Sequence, residues 1–164
     1  MTKLAIPSPV ITTIPVHGSD EVFPVRRVYC IGRNYADHVI EMGNDPKESP
    51  IFFQKNADNV DTSGKFPYPP QSNDVHHELE LVMALKSGGS NISEADAYKH
   101  IYGFAVGLDM TRRDLQAIAK KGGKPWEVGK AFERSAPMGT LTKIEESGNM
   151  DSGKITLTVN GDIK

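Results

Sequence analysis

The chain is short of several things, and each shortage narrows the field. It has one cysteine, Cys30, among 164 residues. That excludes an intrachain disulfide and a cysteine-rich zinc module. No apolar run approaches the roughly 18 residues of a membrane-spanning helix. Basic charge is not in excess: 19 Lys and Arg stand against 21 Asp and Glu, a formal net charge of −2. Nucleic-acid binding needs a basic surplus or a clustered basic face, and Arg112-Arg113 and Lys120-Lys121 are only short pairs. A phosphate-cradling glycine loop is missing too. Ser87-Gly88-Gly89-Ser90 is a turn without the lysine such a loop requires. Pro7, Pro9 and Pro15 interrupt any apolar stretch that could act as an export signal, so a cytoplasmic home is expected.

What is present suggests one domain. The 15 Gly and 11 Pro indicate a loop-rich chain that still contains strands. Residues 1–25 are Pro-rich and read as an N-terminal arm or edge strands, with Val10–Ile14 as a short strand. Arg27–Ile31 and Ile51–Lys55 are further β-type runs. Between them Tyr35–Met42 is a helix candidate, opened by Asn34 with Asp37 and stopped by Gly43. Residues 56–75 read as a long loop. Glu78–Leu85 alternates cleanly, with Leu79, Leu81, Met83 and Leu85 on one side and Glu78, Glu80, Val82 and Ala84 on the other. Ile101–Asp109 alternates between a bulky face (Tyr102, Phe104, Val106, Leu108) and a small one (Gly103, Ala105, Gly107, Asp109). Helices are expected over Ser93–His100 and, capped by Thr111, over Arg112–Lys121. Ile155–Val159 reads as a strand followed by Asn160-Gly161, a hairpin-turn dipeptide. Only three residues follow, so the chain is expected to be the front part of a larger domain.

Several groups could carry chemistry. Glu78 and Glu80 share a strand face about 7 Å apart. They could converge on one cation, or they could line a solvated edge. Asp109 ends a strand whose same-face neighbours are glycine and alanine, which leaves space where a ligand could sit; it could equally be a helix-entry residue ahead of Thr111. Three carboxylates without paired histidines or cysteines suit a hard cation such as Mg²⁺ or Mn²⁺. His38 and Glu41, at i and i+3, could form an oriented general base or a plain surface pair. His76 would share the glutamates' face and could mimic a zinc set. Lys130 could offset an oxyanion or snorkel from a surface strand. Cys30 reads as a small core residue.

Read together, four segments resemble one family. They are Cys30-Ile31-Gly32-Arg33-Asn34-Tyr35-Ala36-Asp37-His38; His76-His77-Glu78-Leu79-Glu80-Leu81; Tyr102-Gly103 through Leu108-Asp109-Met110-Thr111-Arg112-Arg113-Asp114-Leu115-Gln116; and Gly129-Lys130-Ala131-Phe132. Their order and spacing are similar to those of the fumarylacetoacetate hydrolase family, nearest to its acylpyruvase and fumarylpyruvate hydrolase branch.

The resemblance implies an α+β, β-rich fold: a mixed β-sandwich roll with short helices, usually a homodimer. It implies Mg²⁺ or Mn²⁺ held by Glu78, Glu80 and Asp109, and His38 with Glu41 as a water-activating dyad. Lys130 matches a lysine facing the substrate's oxygen-rich end, and Gln116 matches a polar substrate contact. Arg33 and Arg113 would bind a substrate carboxylate or hold the loops. The implied substrate is a small oxo acid, cleaved at a C–C bond to give pyruvate and a carboxylic acid. Decarboxylation of oxaloacetate, or isomerisation or hydration of an oxo acid, are alternatives on the same site. Residues 26–164 would be the front part of the catalytic domain. The family continues into a returning strand and a Thr-Gly-Thr-Pro-type segment that are absent here, so a non-catalytic truncated chain is the third reading.

Overall fold

A computed structural model describes residues 3–32, 34–35 and 49–164. In chain order the described strands are β1 (Thr13–Pro15), β2 (Val22–Pro24), β3 (Val28–Gly32), β4 (Ile51–Lys55), β5 (Val60–Asp61), β6 (Val75–Leu85), β7 (Ile101–Arg112), β8 (Ala136–Pro137), β9 (Thr142–Lys143), β10 (Thr158–Val159) and β11 (Asp162–Ile163). The helices are α1 (Glu94–Ala97), α2 (Arg113–Lys121), α3 (Glu127–Lys130) and α4 (Ile144–Ser147). This is the strand-rich α+β architecture that the sequence implies. Its sheets are small: β1–β2, β3–β4 and β10–β11 are antiparallel pairs, β5–β8 is a parallel pair, and β6–β7–β9 has three strands.

The β6–β7 hairpin is the spine. Its ladder runs from Val75↔Arg112 to Leu85↔Ile101, with a bulge after Ala84 that leaves Tyr102 as the extra residue. The alternation read from the sequence is the alternation observed, but the small face turns inward. Ala84 and Ala105 join Ile14, Val60, Ala136 and Leu141 in the core, and Val82 and Met138 pack against them. Tyr102, at the bulge, leaves the bulky face and stacks its ring 5.2 Å from that of Phe23.

The glycines of the small face do not clear space for a ligand, contrary to expectation. A Cβ on Gly103 would lie 2.1 Å from the Thr142 carbonyl oxygen. One on Gly107 would meet Val82 and the Pro137 carbonyl. Glycine at these positions lets other backbone segments press onto β7.

Other elements differ in detail. In the N-terminal segment the pairing residues are Thr13–Pro15, with Ile14 and Val16 buried and Val16 bridged to Leu141. Ser93 caps α1 as expected, accepting from the Asp96 N–H at 3.2 Å. Thr111 caps nothing: β7 continues through Arg112 and Thr111 is fully buried. Of Ile155–Val159 only Thr158 and Val159 pair, across the Asn160-Gly161 turn, where both residues have positive φ (53° and 94°). The helix expected over Tyr35–Met42 lies outside the described residues apart from Tyr35. His38, Glu41 and Arg33 are among the residues outside.

Candidate metal centre

The register of β6 and β7 brings the acidic residues together. Glu78 stands directly opposite Asp109, and Glu80 opposite Gly107, all on the inner face. Into this face reaches Lys130 from α3. The sequence left open a lysine snorkelling from a surface strand; instead it sits on a helical turn with its side chain only 3% exposed. Its ammonium donates to Glu78 Oε2 (2.6 Å), Asp109 Oδ2 (2.7 Å) and Thr111 Oγ1 (2.6 Å). Two carboxylates from separate strands therefore share one cation. Thr111 also donates to the Asp109 carbonyl at 3.1 Å.

The first turn of α2 adds a second cation. Arg113 pairs with Glu78 through Nη2 and donates through Nη1 to Gln116 Oε1 at 2.6 Å. Gln116 is buried, so Glu78, Arg113 and Gln116 form a chain along one wall. A third cation, Lys55, was not singled out in the sequence. It ends β4, only 1% exposed, with Nζ 2.9 Å from Asp109 Oδ1. Its signal was there to read: Lys55 alternates with Ile51 and Phe53, which puts a lysine on the inward side of a strand. A buried lysine needs partners.

The surroundings split the two glutamates. Burial pushes the Glu78 carboxyl up, but Lys130 and Arg113 outweigh it and hold the group below the usual carboxylate range. Burial raises Glu80 to about 7, and Asp109 and Glu78 add to the rise. The Tyr35 hydroxyl nearby opposes it. Cys30 lies in the same field, its thiol pushed up to about 12 by burial first and then by Asp109. His76 does not join the glutamates; its Nε2 lies 3.0 Å from Asp74 Oδ1 at the surface.

Among the described residues no three acidic, histidine or cysteine side chains converge closely enough to hold one ion as they are placed. The donor set nevertheless suits a hard divalent cation. All three candidates offer carboxylate oxygens, and the buried Asp109 Oδ1 has no directed hydrogen bond, only the charge of Lys55 beside it. A surface cavity of about 640 Å³ is lined by residues such as Val10, Ile11, Pro24 and Ala57 and shares no residue with this cluster.

The strand-rich fold carries a buried acid–lysine cluster on a β-hairpin, and comparison with known proteins gives the chain a family. Residues 27–164 match the family described as fumarylacetoacetate (FAA) hydrolase, C-terminal, and the chain belongs to it. A crystal structure of fumarylpyruvate hydrolase from Pseudomonas aeruginosa, in complex with Mn²⁺ and pyruvate, is 47% identical with a TM-score of 0.93. The match covers 98% of this chain and 72% of that one. Among curated relatives, the oxaloacetate tautomerase YcgM of Escherichia coli K12 is 37% identical over 85% of this chain. The mitochondrial oxaloacetate tautomerase fahd-1 of Caenorhabditis elegans is 36% identical over 82%. The match spans 65% and 64% of the length of those two relatives. Among the described residues no helix is long and apolar enough to cross a membrane.

Proposed function

We propose that this protein hydrolyses a C–C bond in an acylpyruvate, a 2,4-dioxo acid such as fumarylpyruvate, releasing pyruvate and a carboxylic acid. The observation that carries the reading is the inner face of the hairpin, where Glu78 faces Asp109 across the ladder with Glu80 next along. These three would hold Mg²⁺ or Mn²⁺. A divalent ion held there would supply Lewis-acid chemistry for the oxo-acid end of the substrate. Lys130, held by Glu78, Asp109 and Thr111, adds a fixed positive charge beside the same oxygens. Arg113 and Gln116 line the wall where a substrate carboxylate would lie, with Arg33 as a further candidate. His38, oriented by Glu41, takes the proton of the attacking water.

A second reading keeps these residues and changes the reaction to tautomerisation or decarboxylation of oxaloacetate, the activities named for the curated relatives. The higher identity to the Pseudomonas aeruginosa hydrolase, 47% against 37%, supports the first. The test offers fumarylpyruvate and oxaloacetate to the protein with Mn²⁺. Fumarate and pyruvate in equal amounts are expected. Glu80→Ala should lose its stimulation by Mn²⁺, and His38→Ala should slow turnover by ~10²–10⁴-fold with Mn²⁺ still bound. CO₂ release or keto–enol interconversion of oxaloacetate, without fumarate, would shift the assignment to the second reading. A Glu80→Ala protein still stimulated by Mn²⁺ would sink the ligand set.

A further inference from the structure

We propose that Lys55 is a positioning residue of the metal centre, fixing the Asp109 carboxylate and the Lys130 main chain in one frame from behind the site. The proposal rests on the metal-binding reading above but assigns a residue that reading does not use. Lys55 lies on β4, a strand paired with β3 alone. Its ammonium leaves that two-stranded sheet, donates to the Met110 carbonyl at 3.1 Å and to the Lys130 carbonyl, and stands 2.9 Å from Asp109 Oδ1 as an ion pair.

The geometry divides Asp109 between two cations. Oδ1 faces Lys55, and Oδ2 faces Lys130. Because Lys55 also holds the Lys130 carbonyl, the backbone that delivers the Lys130 ammonium is tied to the carboxylate that the ammonium bonds. Loss of Lys55 would free both at once. Lys55 itself is enclosed, 5.8 Å from the Phe132 ring centroid on its other side, and has no exposed surface through which to meet a substrate. Outer partners of this kind orient the ligands they touch, and their removal typically weakens metal binding by about 10- to 100-fold.

The experiment is Mn²⁺ binding followed by the electron paramagnetic resonance signal of the free ion, on the full chain and on Lys55→Met. Folding of the variant is checked by circular dichroism. The expected result is a dissociation constant raised about 10- to 100-fold, with a changed spectrum of the bound ion and partial recovery in Lys55→Arg. A lysine that only staples β4 to the body would lower the melting temperature and leave the affinity of the folded protein alone. A folded Lys55→Met that binds Mn²⁺ within about twofold of the parent, or more tightly, overturns the proposal. A parent chain that binds no Mn²⁺ overturns the metal reading itself, and the proposal with it, before any variant is compared. Should Lys55→Met not fold, the parent gives the answer by nitrogen-15 NMR. The slowly exchanging ammonium signal lost in Lys55→Arg should shift on addition of Mg²⁺, and an unmoved signal overturns the proposal.

Discussion

Along one face of the β6–β7 hairpin stand Glu80, Val82 and Ala84 opposite Gly107, Ala105 and Gly103; along the other stand Leu81, Met83 and Leu85 opposite Val106, Phe104 and Ile101. The face with little side-chain volume carries Ala84 and Ala105 of the core, and the voluminous face is mixed, with Ile101 and Phe104 each 3% exposed. On the voluminous face Leu81, Met83, Leu85 and Val106 are each 43–58% exposed. Residue size alone therefore does not mark the core of this sheet. The inner face gains its contacts from backbone: β8 and β9 come close because nothing projects from Gly103 and Gly107. The same closeness forms the site at the far end of that face, where Lys130 and Lys55 reach Asp109 from two neighbouring elements.

The most damaging way to challenge this contrast is to give the inner face volume. Gly103→Ala places its Cβ 2.1 Å from a carbonyl oxygen on a segment bridged to β7 from its other edge. Since the obstacle is backbone, it cannot rotate aside. A loss of about 3 kcal/mol is expected, at the upper end of overpacking costs, measured by urea denaturation. A loss below about 1 kcal/mol would mean that β9 is loosely held, and that closeness of backbone does not define the inner face.

How far this arrangement could be read from the sequence depends on the range of the interaction concerned. Alternation along β6 and β7 is local, so it gave the strands and put Glu78, Glu80 and Asp109 on matching faces. The Asn160-Gly161 turn and the Ser93 cap are local for the same reason. Which face is inner is not local. It is set by β8, β9 and the N-terminal hairpin, whose two- and three-residue strands have too little pattern to announce themselves. Thr111 shows the limit most clearly. In sequence it has the residue type and place of a helix cap, but Lys130 and the Asp109 carbonyl claim its hydroxyl instead. Lys55 was legible in principle, as a lysine in phase with Ile51 and Phe53, but its partners come from residues 109, 110 and 130.

A gentler probe uses the charge on the inner face. Glu80 is raised to about 7 by burial and by its acidic neighbours, against an ordinary 4.5. Between pH 4.5 and 7 the folded chain thus holds a proton that the unfolded chain has released. Stability should fall as pH rises across that window and level off above it, when metal is kept out with chelator. Glu80→Gln removes the titrating group, so the difference in urea midpoint between pH 5 and pH 7.5 should shrink relative to the parent. Glu78 works the other way: its lowered value contributes stability that is lost only toward acid pH, below this window. An unchanged slope in Glu80→Gln would place Glu80 in water, and the inner face would then lose its polar end as a buried feature.

The smallest effects come from one substitution made on both faces. Val82 and Val106 are both valines at mid-strand, and threonine matches valine in shape and in strand preference. Val82 packs against the core cluster, whereas Val106 is 50% exposed. Val82→Thr should cost about 1–2 kcal/mol, because its hydroxyl enters an apolar layer. Val106→Thr should stay within about 0.5 kcal/mol, because its hydroxyl meets water. The pair cancels the intrinsic propensity of threonine and leaves burial as the variable. Equal costs at the two sites, read from urea midpoints at a common slope, would mean that both faces are covered to the same degree in solution.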